Sequence, residues 1–241
     1  MQPWTTLRQR MAQGRIVGTF LKLPAVEAID VAAEQLDFCV VDLEHSQLDE
    51  LEARRLVRHG AALGFPVVVR LPLPDRDRVN RILEAGAAGI QIPTVRRAAT
   101  VAGLRDAMRY APHGSRSISL GQAPAGYGAI GLADFLELQG DGPLLVAQIE
   151  TAATDDSLEQ IAAARPDVLF AGPMDLTVDL GLDAERVQAR IDEIAQAAER
   201  AGIVLGGAGV DREAVRYDVA GSDIALLRDG LAHAARERRR R

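Results

Sequence analysis

The chain has a single cysteine, Cys39, among 241 residues. One thiol excludes a disulfide framework, and its place within an apolar run points to a buried, inert group. Positive charge is also in short supply: 28 Lys and Arg stand against 34 Asp and Glu, a net charge of −6. That deficit argues against nucleic acid as a main partner. The terminal RERRRR run is the local exception, and it reads as a solvated, frayed helix end whose cations suit the helix dipole. No apolar stretch is long enough to span a bilayer, which speaks against a membrane partner. The N-terminal MQPWTTLRQRMAQGR lacks the apolar core of a secretory signal, so a cytoplasmic location is expected. Low-complexity segments and internal domain boundaries are missing too, and residues 1–241 read as one domain.

What the chain does contain is a regular alternation. Short runs rich in Val and Ile occupy 16–23, 38–43, 66–71, 89–95, 144–150, 168–174, 203–209 and 223–227. Each is followed by an Ala-rich, charged stretch of helical period, including DREAVRYDVAG after the seventh run. Such alternation means a parallel sheet, because parallel neighbours need helical crossovers. Eight units in this length predict an α/β fold of the (β/α)8 TIM barrel type, with a doubly wound open sheet as the alternative. Pro24 is expected in a helix's first turn, Gly64, Gly86 and Gly202 just past helix ends, and Asp183 as the N-cap of the longest helix. The segment 111–131 is too long and glycine-rich for an ordinary connection. It follows the fourth strand-like run, so it is expected on the face that carries the charged strand ends.

Those charged ends carry the chemistry. DFCVVDLEH ends in Asp42, Glu44 and His45; PVVVRL carries Arg70; PLLVAQIE ends in Glu150; DVLFAGPMD reaches Asp175. A charge at the end of a buried strand needs a partner. Several such ends suggest one polar site at one face of the sheet. Glu150 and Asp175, brought together in a dry cleft, would need a shared proton or a cation, and oxygen donors favour Mg²⁺ or Mn²⁺. Capping of the following helices is the alternative for both. Arg70 is either a clamp on a substrate carbonyl or carboxylate, or the salt-bridge partner of Asp42 or Glu44. His45 beside these acids suits a general base, whereas His59, His113 and His233 read as surface residues. The GPMD turn, Gly172 to Asp175, can offer backbone N–H groups to a carboxylate. Together these parts suit a small 2-oxo acid whose carboxylate and keto oxygen chelate the cation. Arginine and metal would then stabilise the enolate formed when a C–C bond breaks.

The segments VGTFLKLPAVEAIDVAAEQLDFCVVDLEH, VVVRL, EAGAAGIQIPTV, AQIET and AGPMDLTVDLG resemble, in this order from about Val17 to Asp211, the HpcH/HpaI aldolase family. The pairing of QIET with GPxDL behind an upstream DxEH is what makes the resemblance specific. It implies a class II aldolase, a carbon–carbon lyase that cleaves a 4-hydroxy-2-oxo acid to pyruvate or a similar 2-oxo acid and an aldehyde. It implies a divalent cofactor, Mg²⁺ or Mn²⁺ with Co²⁺ as an option, held by Glu150 and Asp175. His45 matches the proton acceptor, Arg70 the transition-state stabiliser, and Asp42 lies in the same acidic setting. Glu84 matches an acid that supports the histidine, often from a neighbouring subunit, where many members have Asp. Gln148 and the Met174–Asp175 backbone match substrate-binding positions, and Ala208 lies near a position that shapes the aldehyde pocket. The implied assembly is a homohexamer, a trimer of dimers that exchange the last helix. The match is weakest beyond Gly206, where IALLRDGLAHAA departs from the family pattern. Alternatives are a related CoA-ester lyase, a decarboxylating C–C bond-forming enzyme of the same superfamily, and a non-catalytic metabolite-binding barrel.

Overall fold

Runs of Val, Ile and Leu form eight short strands in the computed structural model, which describes residues 2–240. They are β1 (Ile16–Leu21), β2 (Phe38–Asp42), β3 (Val67–Arg70), β4 (Gly89–Ile92), β5 (Leu144–Ile149), β6 (Val168–Ala171), β7 (Val204–Gly207) and β8 (Val215–Ser222). Every neighbouring pair is parallel and β8 pairs back onto β1, so the sheet closes and has no free edge. Closure decides for the (β/α)8 barrel over the open sheet.

Helices cover the outside: α1 (Pro3–Gln13) precedes β1, α2 (Val26–Gln35) follows β1, α3 (Glu50–Ala62) β2, α4 (Arg76–Ala85) β3, α5 (Ala98–Met108) and α6 (Leu132–Gln139) β4, α7 (Leu158–Ala163) β5, α8 (Pro173–Asp179) and α9 (Ala184–Ala201) β6, and α10 (Asp223–Arg239) β8, while β7 leads to β8 without the helix expected from DREAVRYDVAG. Their ends obey the expected chemistry. Asp183 accepts hydrogen bonds from the Glu185 and Arg186 amides at the start of α9, the longest helix. Gly86 and Gly202 cap α4 and α9 at φ 106° and 64°, a region that suits residues without a Cβ. Among the described residues, no helix is long and apolar enough to cross a membrane.

Hydrophobic side chains fall into two main groups. Residues such as Val41, Val69, Ile90 and Leu169 point outward against the helices. Phe38, Val40, Val68, Val146, Phe170 and Tyr217 fill the barrel itself. Packing inside is tight: a Cβ on Gly18 would come within 2.6 Å of the Phe38 ring, so β1 needs a glycine there. Cys39 is fully buried, and burial pushes its thiol pKa well up, in keeping with an inert group.

Three expectations are corrected. The eighth strand is Val215–Ser222, and DIALL begins α10 instead. Val215, Tyr217 and Val219 are buried while Arg216 and Ala220 are exposed, a two-residue period that fits a strand. Ser222 then accepts from the Ala225 amide and starts the helix. The polar N-terminus is helical: α1 buries Trp4, Leu7 and Met11 with the residues of the barrel interior. Pro24 precedes the N-cap Ala25 and is not in the first turn of α2. Finally, segment 111–131 follows α5, not β4 directly, and it packs along the outside of α3 and α4 instead of closing over the charged mouth. There Arg116 is buried and donates to Asn80 Oδ1 of α4 at 3.0 Å, and Tyr127 lies under the Arg58 guanidinium at 5.3 Å.

Candidate active site

Along several strands the inward-facing residues change from apolar to polar as the chain approaches the C-terminal end. Strand β2 and its extension run Phe38, Val40, Asp42; β3 runs Val68, Arg70; β5 runs Leu144, Val146, Gln148, then Glu150. Alternation puts all of these on the inner face. The apolar layers below close the barrel, so the polar groups can only meet each other or whatever enters the mouth.

Strand register brings Asp42 opposite Arg70. Arg70 donates to Asp42 from Nε to Oδ1 at 2.9 Å and from Nη2 to Oδ2 at 2.7 Å, a two-pronged fork on a carboxylate with no solvent exposure. The Glu44 and His45 amides donate to the same Oδ1 at 3.1 and 3.2 Å, folding the VDLEH turn around it. Burial pushes the Asp42 pKa up, but the Arg70 hydrogen bonds and charge together with these amides outweigh it, and the carboxyl is held below its ordinary range. Arg70 also stacks on the Phe20 ring at 4.5 Å and lies 3.2 Å from Glu44 Oε2 through Nη1. Both salt-bridge partners expected for Arg70 are therefore present, and its remaining N–H groups are free for a ligand. Glu44 has a raised pKa, chiefly from burial, with Glu150 and Asp42 adding to the rise against Arg70 and His45. Its Oε2 is buried without a hydrogen-bond partner. His45 Nε2 is 3.7 Å from that oxygen, and the imidazole is more than half exposed, at 56%.

Across the mouth, Glu150 is buried and held on both oxygens. Thr94 donates its amide and its hydroxyl to Oε1, each at 2.7 Å, and Gln148 Nε2 donates to Oε2. Gln91 donates to Gln148 Oε1 at 2.7 Å, so a chain of amides orients the carboxylate. Thr94 makes these contacts at φ 50°, a left-handed conformation that is costly for a β-branched residue. Gly172 leaves Glu150 its space: a Cβ there would lie 2.8 Å from Oε2. Asp175 follows on the first turn of α8, exposed beside Pro173 and the solvent-facing Met174.

The site thus gathers Asp42, Arg70, Gln148, Glu150 and Gly172 in the barrel mouth, with His45 and Asp175 on the turns that rim it. Ala208 follows β7 and packs against the barrel interior. Glu84 is elsewhere. It sits in the last turn of α4, accepts from Asn80 Nδ2 at 3.3 Å, and lines an outer groove with Arg54, Arg55, Arg58 and Tyr127. No group of three or more His, Cys, Asp and Glu side chains suited to a metal occurs among the described residues. Sequence reasoning overlooked Lys22, Gln91 and Thr94. Lys22 ends the apolar run IVGTFL, so the criterion that singled out Arg70 applied to it as well. Thr94 gave no comparable signal, because its role depends on a backbone angle.

The sequence model of the HpcH/HpaI aldolase/citrate lyase family matches residues 18–221. A hydroxypyruvate/pyruvate aldolase from Roseovarius nubinhibens is 33% identical over 196 residues, covering 79% of this chain and 75% of that protein. A 4-hydroxy-4-methyl-2-oxoglutarate aldolase from Hapsidospora irregularis is 31% identical over 181 residues, covering 72% and 67%. The crystal structure of an HpcH/HpaI aldolase from Desulfitobacterium hafniense superposes with a TM-score of 0.87 at 27% identity, covering 96% of this chain and 95% of that one. With the matched segment spanning β1 to β8 and the charged mouth between them, the chain belongs to the HpcH/HpaI aldolase/citrate lyase family.

Proposed function

We propose that this protein is a divalent-metal-dependent class II aldolase that cleaves 4-hydroxy-2-oxo acids to pyruvate, or a similar 2-oxo acid, and an aldehyde. The observation that carries the reading is the pairing, in one mouth, of the oriented carboxylate Glu150 with the anchored guanidinium Arg70. Relatives named as aldolases for hydroxypyruvate, pyruvate and 4-hydroxy-4-methyl-2-oxoglutarate support it.

The donor set fits Mg²⁺ or Mn²⁺. Glu150 Oε2 keeps a lone pair beyond its Gln148 contact, and the missing Cβ of Gly172 lets this carboxylate lie against the turn that leads to Asp175. Asp175 supplies a second carboxylate from the adjoining turn. Two carboxylates, with substrate and water completing the shell, are the usual set for such hard cations. The buried, unpartnered oxygens of Glu44 and Gln91 are acceptors suited to waters of that shell. Bound there, the cation would polarise the keto group of a 2-oxo acid as a Lewis acid.

The chain's own residues account for the remaining chemistry. The GPMD turn offers amides to the substrate carboxylate, and Gln148 flanks it. His45 takes the proton of the C4 hydroxyl. The C3–C4 bond then breaks, the aldehyde leaves, and the electron pair moves toward the C2 oxygen. Arg70 donates to that oxygen as its negative charge grows. Asp42 touches no substrate in this scheme; it fixes the plane and reach of Arg70. A proton returned to C3 gives the 2-oxo acid.

Assembly completes the reading. Helix α10 has no buried residue, and Ile224, Leu227 and Leu231 expose an apolar stripe along it. Glu84 lies outside the mouth of its own barrel. Both features suit a homohexamer of paired chains, in which α10 is covered and Glu84 meets a neighbour. Light scattering should give a mass near six chains, and a monomer would overturn this part alone.

The activity is tested by pyruvate release from 4-hydroxy-2-oxo acids. Turnover should vanish after rigorous chelation and return with Mg²⁺ or Mn²⁺. Undiminished turnover in metal-free enzyme would refute the mechanism.

A further inference from the structure

The scheme above leaves one proton without a named donor, the one returned to C3. Glu44 is the acid placed to carry it. Its backbone is pinned, because its own amide and that of His45 both donate to Asp42 Oδ1, at 3.1 and 3.2 Å. Its side chain reaches back to the charged mouth, where Oε2 lies 3.2 Å from Arg70 Nη1 and 3.7 Å from His45 Nε2. The Asp42 fork takes Nε and Nη2 of Arg70, so Glu44 meets only Nη1, the nitrogen left for the substrate. Glu44 Oε2 is buried and has no hydrogen-bond partner within the protein. Burial raises the pKa of this carboxyl, which suits a group that must hold a proton.

Both neighbours of Oε2 bear on the reaction. Arg70 donates to the C2 oxygen of the substrate, and C3 is one bond from C2, so an acid resting on the same guanidinium is within reach of C3. His45 takes the C4 hydroxyl proton. Oε2 is shielded from solvent while the imidazole is 56% exposed, so protons enter and leave the carboxyl through His45. The 3.7 Å gap between them exceeds a hydrogen bond, and a turn of the exposed imidazole or one bridging water closes it. The steps balance. The C3–C4 bonding pair passes into the enolate, Glu44 gives its proton to C3 as the enolate pair forms the new C–H bond, and the C2 carbonyl is restored. His45 then passes the hydroxyl proton from Nε2 to Glu44 Oε2, and both groups return to their starting states.

We infer that Glu44 is a catalytic residue that delivers the proton from His45 to C3 of the enolate. The inference rests on the aldolase reading, and three measurements separate the two claims. Exchange of the pyruvate methyl protons in D₂O, followed by NMR with Mg²⁺ present, runs the C3 step without an aldehyde. Cleavage of 4-hydroxy-2-oxopentanoate is measured beside it, and pyruvate binding is measured by calorimetry with Mn²⁺. Glu44→Gln should slow the exchange about 100-fold or more while pyruvate affinity changes little. Glu44→Asp, which keeps the acid, should restore part of the exchange. Wild-type exchange in Glu44→Gln, with cleavage by the wild-type enzyme intact, would overturn the inference and leave the aldolase reading standing. A loss of exchange matched by an equal loss of pyruvate binding would also overturn it, making Glu44 only a support for Arg70, as would a wild-type enzyme that exchanges no methyl protons. Exchange that depends on Glu44 without any cleavage would sustain the proton transfer and sink the aldolase reading.

Discussion

Removing Arg70 tests how the charged mouth is held together. Deleting one partner of a buried ion pair costs about 3–5 kcal/mol, because the other charge is left behind. Asp42 would not be wholly abandoned. The Glu44 and His45 amides at 3.1 and 3.2 Å and the Lys22 ammonium at 3.3 Å still face it. Those contacts offset part of the loss, so Arg70→Ala should destabilise the fold by roughly 2–3 kcal/mol. Urea denaturation of Arg70→Ala, Asp42→Asn and the double variant should give a coupling energy of about 1.5–3 kcal/mol. Activity separates the roles further. Arg70→Ala removes a donor to the developing oxyanion and should lower kcat about 100-fold or more. Asp42→Asn keeps the donor but loosens its aim, and should cost less. An additive cycle, or a fully stable Arg70→Ala protein, would show that the fork does not form in solution.

Three more outcomes follow from the same geometry. Thr94→Val keeps the amide but loses the hydroxyl contact to Glu150, and should weaken Mn²⁺ binding about tenfold by calorimetry; an unchanged affinity would remove Thr94 from the orientation of the carboxylate. His45→Ala should slow both aldol cleavage and proton exchange at pyruvate C3 by about 100-fold or more, with wild-type rates in both assays eliminating it as the base. The pH dependence has a definite sign. Because Asp42 is held below its ordinary value when folded, it adds stability above the unfolded pKa of about 4, and that stability is lost as pH falls through the folded value. Asp42→Asn should flatten this acid limb in denaturant titrations at successive pH, and an acid limb identical to wild type would place the sensitivity elsewhere.

Much of this was legible in the sequence, because strand ends that carry charge announce themselves. Asp42, Arg70 and Glu150 each close a run of apolar residues, and alternation alone puts them inside the barrel. The pairing of Asp42 with Arg70 was visible as an option; the register between β2 and β3 is what realises it. The last strand was misplaced because VRYDVAGS mixes charges into its outward positions, which look helical beside DREA. Trp4, Leu7 and Met11 are too sparse among polar residues to signal a buried helix. The 111–131 segment was placed by the strand before it, although α5 intervenes and carries the chain to the outside of the barrel. Thr94 could not be found at all, since a left-handed backbone angle has no signature in a threonine. Glu84 shows a further limit: its role by resemblance involves a neighbouring chain, and one barrel does not place it.

The central claim is that Glu150 and Asp175 share one divalent cation beside a bound 2-oxo acid. A crystal grown with Mn²⁺ and soaked with pyruvate, measured at a wavelength where manganese scatters anomalously, addresses it directly. The account predicts a single strong peak between these two carboxylates, with the keto oxygen of pyruvate turned toward Arg70. Manganese bound elsewhere, or pyruvate seated away from Arg70, would contradict it.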